Sequence, residues 1–182
     1  MLRIVLATIL LTGASLPAGA QSAEETVLFL LFGLEAGTTQ SPHITVNPLS
    51  PSRWSVTIEF GPNTKFYSET EIIANSVCSY SINTFDRNGT RVKGAVFDFS
   101  HVSHYDVDTY TPAGPFGPGW ITTQTIIISG PDLYIESVSD PQTGEVQETQ
   151  RDIWRGPVFA ASDRLRGAYS YFSRKFCAGR AF

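Results

Sequence analysis

The chain has 182 residues, with 13 Lys and Arg against 17 Asp and Glu, for a net charge of −4. That length suits one domain. An acidic chain without a basic stripe excludes nucleic acid as the expected partner, because phosphate neutralisation supplies most of that affinity.

The first twenty residues, MLRIVLATILLTGASLPAGA, have the order of a secretory signal. Arg3 gives the cationic start, Ile4 to Leu11 the apolar core, and Ala18-Gly19-Ala20 the small residues of a cleavage site. The apolar core is too short to span a bilayer of about 30 Å as a permanent helix. No cysteine follows that core to carry a lipid anchor. The expectation is a signal over residues 1–20, cleavage after Ala20, and a single exported domain over 21–182 without stable membrane insertion. The bacterial periplasm is the expected destination, with secretion to the outside as the alternative.

Ser22-Ala23-Glu24-Glu25 has the capping-box pattern. It predicts a short apolar helix over Thr26 to Leu34, with Gly37 a possible stop. Val27 to Phe32 is apolar on every side and also fits a buried strand, but the acidic first turn favours helix. From residue 43 to 155 the punctuation is that of strands. His43–Val46 and Trp54–Phe60 are predicted strands parted by Pro48 and Pro51. Trp54, Val56, Ile58 and Phe60 share one face, the period of a half-buried strand. Lys65–Ile73 has no clear pattern. Ser76–Phe85 places Cys78, Tyr80 and Ile82 on one face, and Asn88-Gly89 predicts a type I′ hairpin joining it to Arg91–Phe99.

Val102–Tyr110 is the next expected strand. A Pro- and Gly-rich loop, TPAGPFGPG, follows at 111–119. Trp120–Ser129 and Leu133–Val138 are expected as strands joined through Gly130-Pro131-Asp132, and 140–144 as another turn. Val146–Trp154 alternates but is so polar that it reads as an edge strand. Ser162 is the expected cap of a C-terminal helix in which Leu165, Ala168, Tyr169, Phe172 and Phe176 form one apolar stripe. Gly179 is its expected end. At the terminus, Ala178 and Arg180 break the alternation that an outer-membrane barrel would carry to Phe182.

Cys78 and Cys177 are the two cysteines. Two thiols fall short of the four clustered ligands of structural zinc, whereas export favours a disulfide. Such a bridge would close a loop of about 100 residues, worth roughly 4–5 kcal/mol in the chain-entropy model. It would fasten the C-terminal helix to the buried face of the sheet.

The stretch HVSHYDVD, residues 101–108, holds two histidines and two aspartates. On a strand His104, Asp106 and Asp108 point one way, with His104 and Asp106 about 6.6 Å apart along it. Two convergent ligands fall short of the three or four a zinc site needs, and the remaining histidine, His43, is distant in sequence. The triad therefore reads as a solvated strand face, with no cofactor or metal expected. Glu136 and Asp106 form a nominal carboxylate pair, and without geometry that nomination carries no chemistry. No nucleophile elbow, phosphate loop, Cys-x-x-Cys or His-Glu-x-x-His motif is present.

The expected fold is α+β: a short N-terminal helix, a twisted antiparallel sheet of seven or eight strands, and a C-terminal amphipathic helix packed on it. The expected role is a small exported, non-enzymatic binding or interaction domain whose partner is a protein or a small molecule. One alternative is a carrier holding an apolar ligand between sheet and C-terminal helix, near Tyr80, Phe97, Phe99 and Phe172. Another is a metal-dependent enzyme centred on His104, Asp106 and Asp108.

Overall fold

The computed structural model describes residues 22–41, 43–61, 64–108, 124–140 and 143–177. The signal segment, the 111–119 loop, Trp120 and the helix end expected at Gly179 lie outside the described residues. Helix α1 (Ala23–Phe32) starts where the capping box predicts: Ser22 Oγ accepts from Glu25 N at 3.1 Å, and Glu25 Oε2 accepts from Ser22 N at 3.1 Å. It ends at Gly33 rather than near Gly37. Gly33 has φ +66°, and a Cβ there would come within 2.7 Å of the backbone nitrogens of Phe159 and Ala160. Thr26 to Leu31 are all buried. The helix is apolar all round because it packs on α2, β4 and β9.

The sheet has nine strands: β1 (Thr39–Ser41), β2 (Ile44–Ser50), β3 (Arg53–Gly61), β4 (Thr64–Ala74), β5 (Ser79–Phe85), β6 (Arg91–Asp98), β7 (His104–Asp108), β8 (Gln124–Ser139) and β9 (Val146–Val158). Every pairing is antiparallel, and the sheet is open. β9 runs along one edge of β8 through both of its halves. β6 and β7 therefore lie end to end on the other edge, opposite Tyr134–Val138 and Thr125–Ser129 respectively. The 3-10 turn Phe99–His101 breaks what would be one strand into these two pieces. The nine strands thus fill eight positions of a next-neighbour meander.

Several local expectations are corrected. β2 continues through Pro48 to Ser50, because β1 pairs only as far as Thr45 and leaves that edge of Pro48 without a ladder. Lys65–Ile73, without a clear pattern in sequence, is most of β4. In the β5–β6 hairpin Gly89 has positive φ and Asn88 does not, so the turn is not type I′. Asp86 organises it instead, its carboxylate accepting from Asn88 N and Thr90 N at 2.9 Å each. Gly130-Pro131-Asp132 is a bulge inside β8, not a connection between two strands. Gly130 is required there, since a Cβ would stand 1.7 Å from His101 O. β9 is an edge strand, as its polarity predicts, and Val146 to Ile153 are exposed on both faces.

Helix α2 (Ser162–Lys175) is capped at Ala161 without a side-chain bond, so Ser162 is its first residue rather than its cap. Leu165 and Phe172 are fully buried, and Ala168, Tyr169 and Phe176 pack on the core from its margin. Tyr105 of β7 stacks on Tyr169 at 4.5 Å and donates to Leu30 O at 3.0 Å, linking β7 to both helices. Burial pushes the Tyr105 phenol well above its ordinary pKa. Cys78, just before β5, and Cys177, just after α2, have Cα atoms 5.2 Å apart, within the range a disulfide spans.

Candidate binding cleft on the inner sheet face

The residues nominated from sequence do not assemble into a site. His104 and Asp108 are exposed on β7. Asp106 is committed to Arg166 of α2 at 2.7 Å and to Val107 N at 2.8 Å. The Arg166 hydrogen bond, then that of Val107, holds its carboxyl below the ordinary value. His101 Nδ1 lies 3.1 Å from Asp132 O. Among the described residues no three His, Cys, Asp or Glu groups converge as metal ligands. Glu136 and Asp106 are not brought together, because Glu136 lies in one half of β8 and Asp106 pairs with Ile127 in the other.

The space beneath α2 is filled by aromatic rings. Tyr80 packs on Phe99 at 6.0 Å and on Phe172 at 5.8 Å, and Phe99 packs on Phe97 at 4.5 Å and on Phe172 at 5.0 Å. The open space lies elsewhere on the same face. A cleft of about 250 Å³ sits between the end of α1 and the inner surface of β5, β6, β8 and β9. Phe32, Ile82, Ala95 and Tyr134 give it apolar walls, and Gly156 leaves one wall without a side chain.

Trp154 is the pivot of this cleft. Its indole is 8% exposed and stands edge-on to Tyr134 at 5.4 Å, to Phe32 at 6.1 Å and to Phe97 at 6.1 Å. Its Nε1–H is buried and has no hydrogen-bond partner among the described residues. An indole nitrogen only donates, and leaving such a donor unpaired costs about 1–3 kcal/mol. A Cβ on Gly156 would stand 3.5 Å from this nitrogen. The nitrogen is therefore buried in the wall of the cleft, beside the bare Gly156.

The cations follow from strand register. Lys93 pairs with Val138, and Tyr134 pairs with Arg151, so both cations are diagonal to Glu136. Lys93 Nζ lies 2.6 Å from Glu136 Oε1 and Arg151 lies 3.4 Å from Oε2. The Lys93 hydrogen bond chiefly holds the Glu136 carboxyl below its ordinary value, against the opposing effect of burial. Lys93 Nζ is also 5.6 Å from the centre of the Trp154 ring. Among the described residues Lys93 and Arg155 line the cleft, and no Asp or Glu does. A second cleft, of about 260 Å³, lies where α1 approaches α2, and its two charged residues, Glu35 and Arg164, are paired with each other.

Comparison with protein-family models, curated proteins and solved structures finds no match to this chain. The cleft therefore rests on its own geometry. Sequence reading weighs Trp154, with Trp54 and Trp120, as an aromatic of a binding surface and favours core or sheet-edge packing for all three. The available signal was the change at that point from exposed polar residues to Trp154-Arg155-Gly156, an aromatic, a cation and a glycine in succession.

Proposed function

We propose that the protein is a small exported domain that binds a ligand rather than transforming one, and that the ligand sits in the cleft beside Trp154. The unpaired indole N–H carries this reading. A buried donor in the wall of a cleft gains an acceptor when a ligand reaches it, which turns a standing desolvation cost into binding affinity. Among the described residues the lining has no carboxylate, imidazole or thiol, the groups most used as general bases and nucleophiles, and this favours binding over catalysis. The carrier role, first placed beneath α2, moves to this cleft because four packed rings occupy the earlier position. A metal enzyme centred on His104, Asp106 and Asp108 is the weaker reading, since Asp106 is already held by Arg166.

Export is supported by the signal-like residues 1–20 and by the placement of Cys78 and Cys177. No helix among the described residues is long and apolar enough to cross a membrane. The test of binding is a ligand-observed NMR screen with small neutral, acidic and basic aromatic compounds. At least one compound is expected to bind the native chain and to lose binding in Gly156→Leu, whose side chain fills the space before Trp154 Nε1. A screen without binders, or binders unaffected by that substitution, would reject the cleft.

A further inference from the structure

Resting on the cleft beside Trp154 as the binding site, we infer that its ligand is a small aromatic carboxylate, seated with the carboxylate between Trp154 Nε1–H and the Lys93 ammonium. Three features of the cleft specify this class.

The first is charge. The chain is acidic overall at −4, yet among the described residues the cleft is lined by Lys93 and Arg155 and by no acid. Glu136 is shared between Lys93 and Arg151, so one carboxylate serves two cations. Arg155 has no carboxylate partner among the described residues. A cationic ligand is repelled there, and a neutral one leaves the excess positive charge without a counter-charge. An anion supplies it, while Glu136 keeps Arg151.

The second is the spacing of donors. Lys93 Nζ is 5.6 Å from the Trp154 ring centre. The ammonium thus stands beside the indole, and the two oxygens of one carboxylate can accept one hydrogen bond of about 2.7–2.9 Å from each group. The indole N–H has no competing acceptor.

The third is shape. Phe32, Ile82, Ala95 and Tyr134 form the apolar walls, and the missing side chain of Gly156 leaves room for a ring beside Trp154. The volume, about 250 Å³, is below the roughly 300–1,000 Å³ of sites for drug-sized ligands. A single-ring acid fits, and a long-chain lipid does not.

Benzoate is the probe, with benzamide and benzylamine as its neutral and cationic counterparts. The readout is the indole N–H region of the ¹⁵N-labelled protein, which contains Trp54, Trp120 and Trp154. Trp154→Phe assigns the relevant signal. Benzoate is expected to move the Trp154 signal saturably, with a Kd of about 1 mM or tighter. Lys93→Gln should weaken that affinity at least about tenfold, and Lys93→Arg should retain most of it, which separates lost charge from lost folding. Comparable binding of benzamide at Trp154, or tighter binding of benzylamine, overturns the carboxylate class and leaves the cleft standing. Silence of the Trp154 signal with all three compounds overturns the class, and it overturns the cleft as well when the wider screen also finds no binder.

Discussion

The two ends of the inner sheet face are built from the same kind of residue and finish differently. Beneath α2, Tyr80, Phe97, Phe99 and Phe172 interlock, and none of these rings leaves a buried polar atom without a partner among the described residues. Toward β9, Trp154 joins an equally aromatic group with Phe32 and Tyr134, yet its N–H is left without a partner among the described residues, in the wall of a cleft. The difference is cover. α2 lays Leu165 and Phe172 over the first end, and the cysteine pair sits beside it. At the second end α1 stops at Gly33, because Phe159 and Ala160 leave no room for a side chain. Closure by a helix makes a structural core, and the early stop of the other helix leaves a place for a ligand.

The largest effect is expected at the closed end. Phe172→Ala removes a fully buried ring in contact with Tyr80, Phe99 and Phe176. It should cost about 3–5 kcal/mol, measured by urea unfolding. A loss below about 1 kcal/mol would erase the contrast between the ends, since that is the scale of a surface change.

The cysteine pair comes next. Non-reduced, denatured protein from its native compartment should show no reactive thiols. Cys177→Ser should lower stability by roughly 2–4 kcal/mol, with α2 losing amide protection first. Two labelled thiols per chain would remove the covalent tie from the closed end.

At the open end the effects on stability are smaller. The folded pKa of Glu136 lies below its ordinary 4.5, so its contribution is complete above that value and is lost as pH falls through the folded pKa. Glu136→Gln should flatten the acid side of the stability profile, by at most about 1 kcal/mol because both cations are half exposed. An unchanged acid slope would mean that the Lys93–Glu136–Arg151 group is not formed in solution.

Glycine substitutions sharpen the comparison further. Gly156→Ala adds a methyl at ordinary contact distance, 3.5 Å from Trp154 Nε1. It should change the melting temperature little, because the cleft is open there. Gly130→Ala, with 1.7 Å to His101 O, is the opposite control and should destabilise strongly. Equal effects of the two substitutions would mean that the space beside Trp154 is absent in solution.

The smallest effect belongs to the strand first singled out by its composition. Arg166→Gln should leave the melting temperature nearly unchanged, since its pair with Asp106 is solvent-exposed. Elemental analysis of natively purified protein should find no stoichiometric transition metal. One zinc per chain, lost on His104→Ala, would move the functional centre to β7.

Local chemistry by itself determined much of this fold. The Ser22–Glu25 box started α1, alternation at Trp54–Ile58 set the buried face of β3, and the stripe from Leu165 to Phe176 set that of α2. Cys78 and Cys177 were legible as a pair because there is no other thiol to choose. Tertiary structure decided the rest, because those features depend on residues far apart in the chain. Pro48 is tolerated inside β2 because β1 stops short of it. Gly130 joins two expected strands into one because His101 passes within contact of it. Lys93, Glu136 and Arg151 meet only through the register of β6, β8 and β9. Trp154 becomes a ligand donor in this reading only because α1 ends before it can cover the indole. An unpaired hydrogen-bond donor is defined by what fails to reach it, and no local pattern of residues records that.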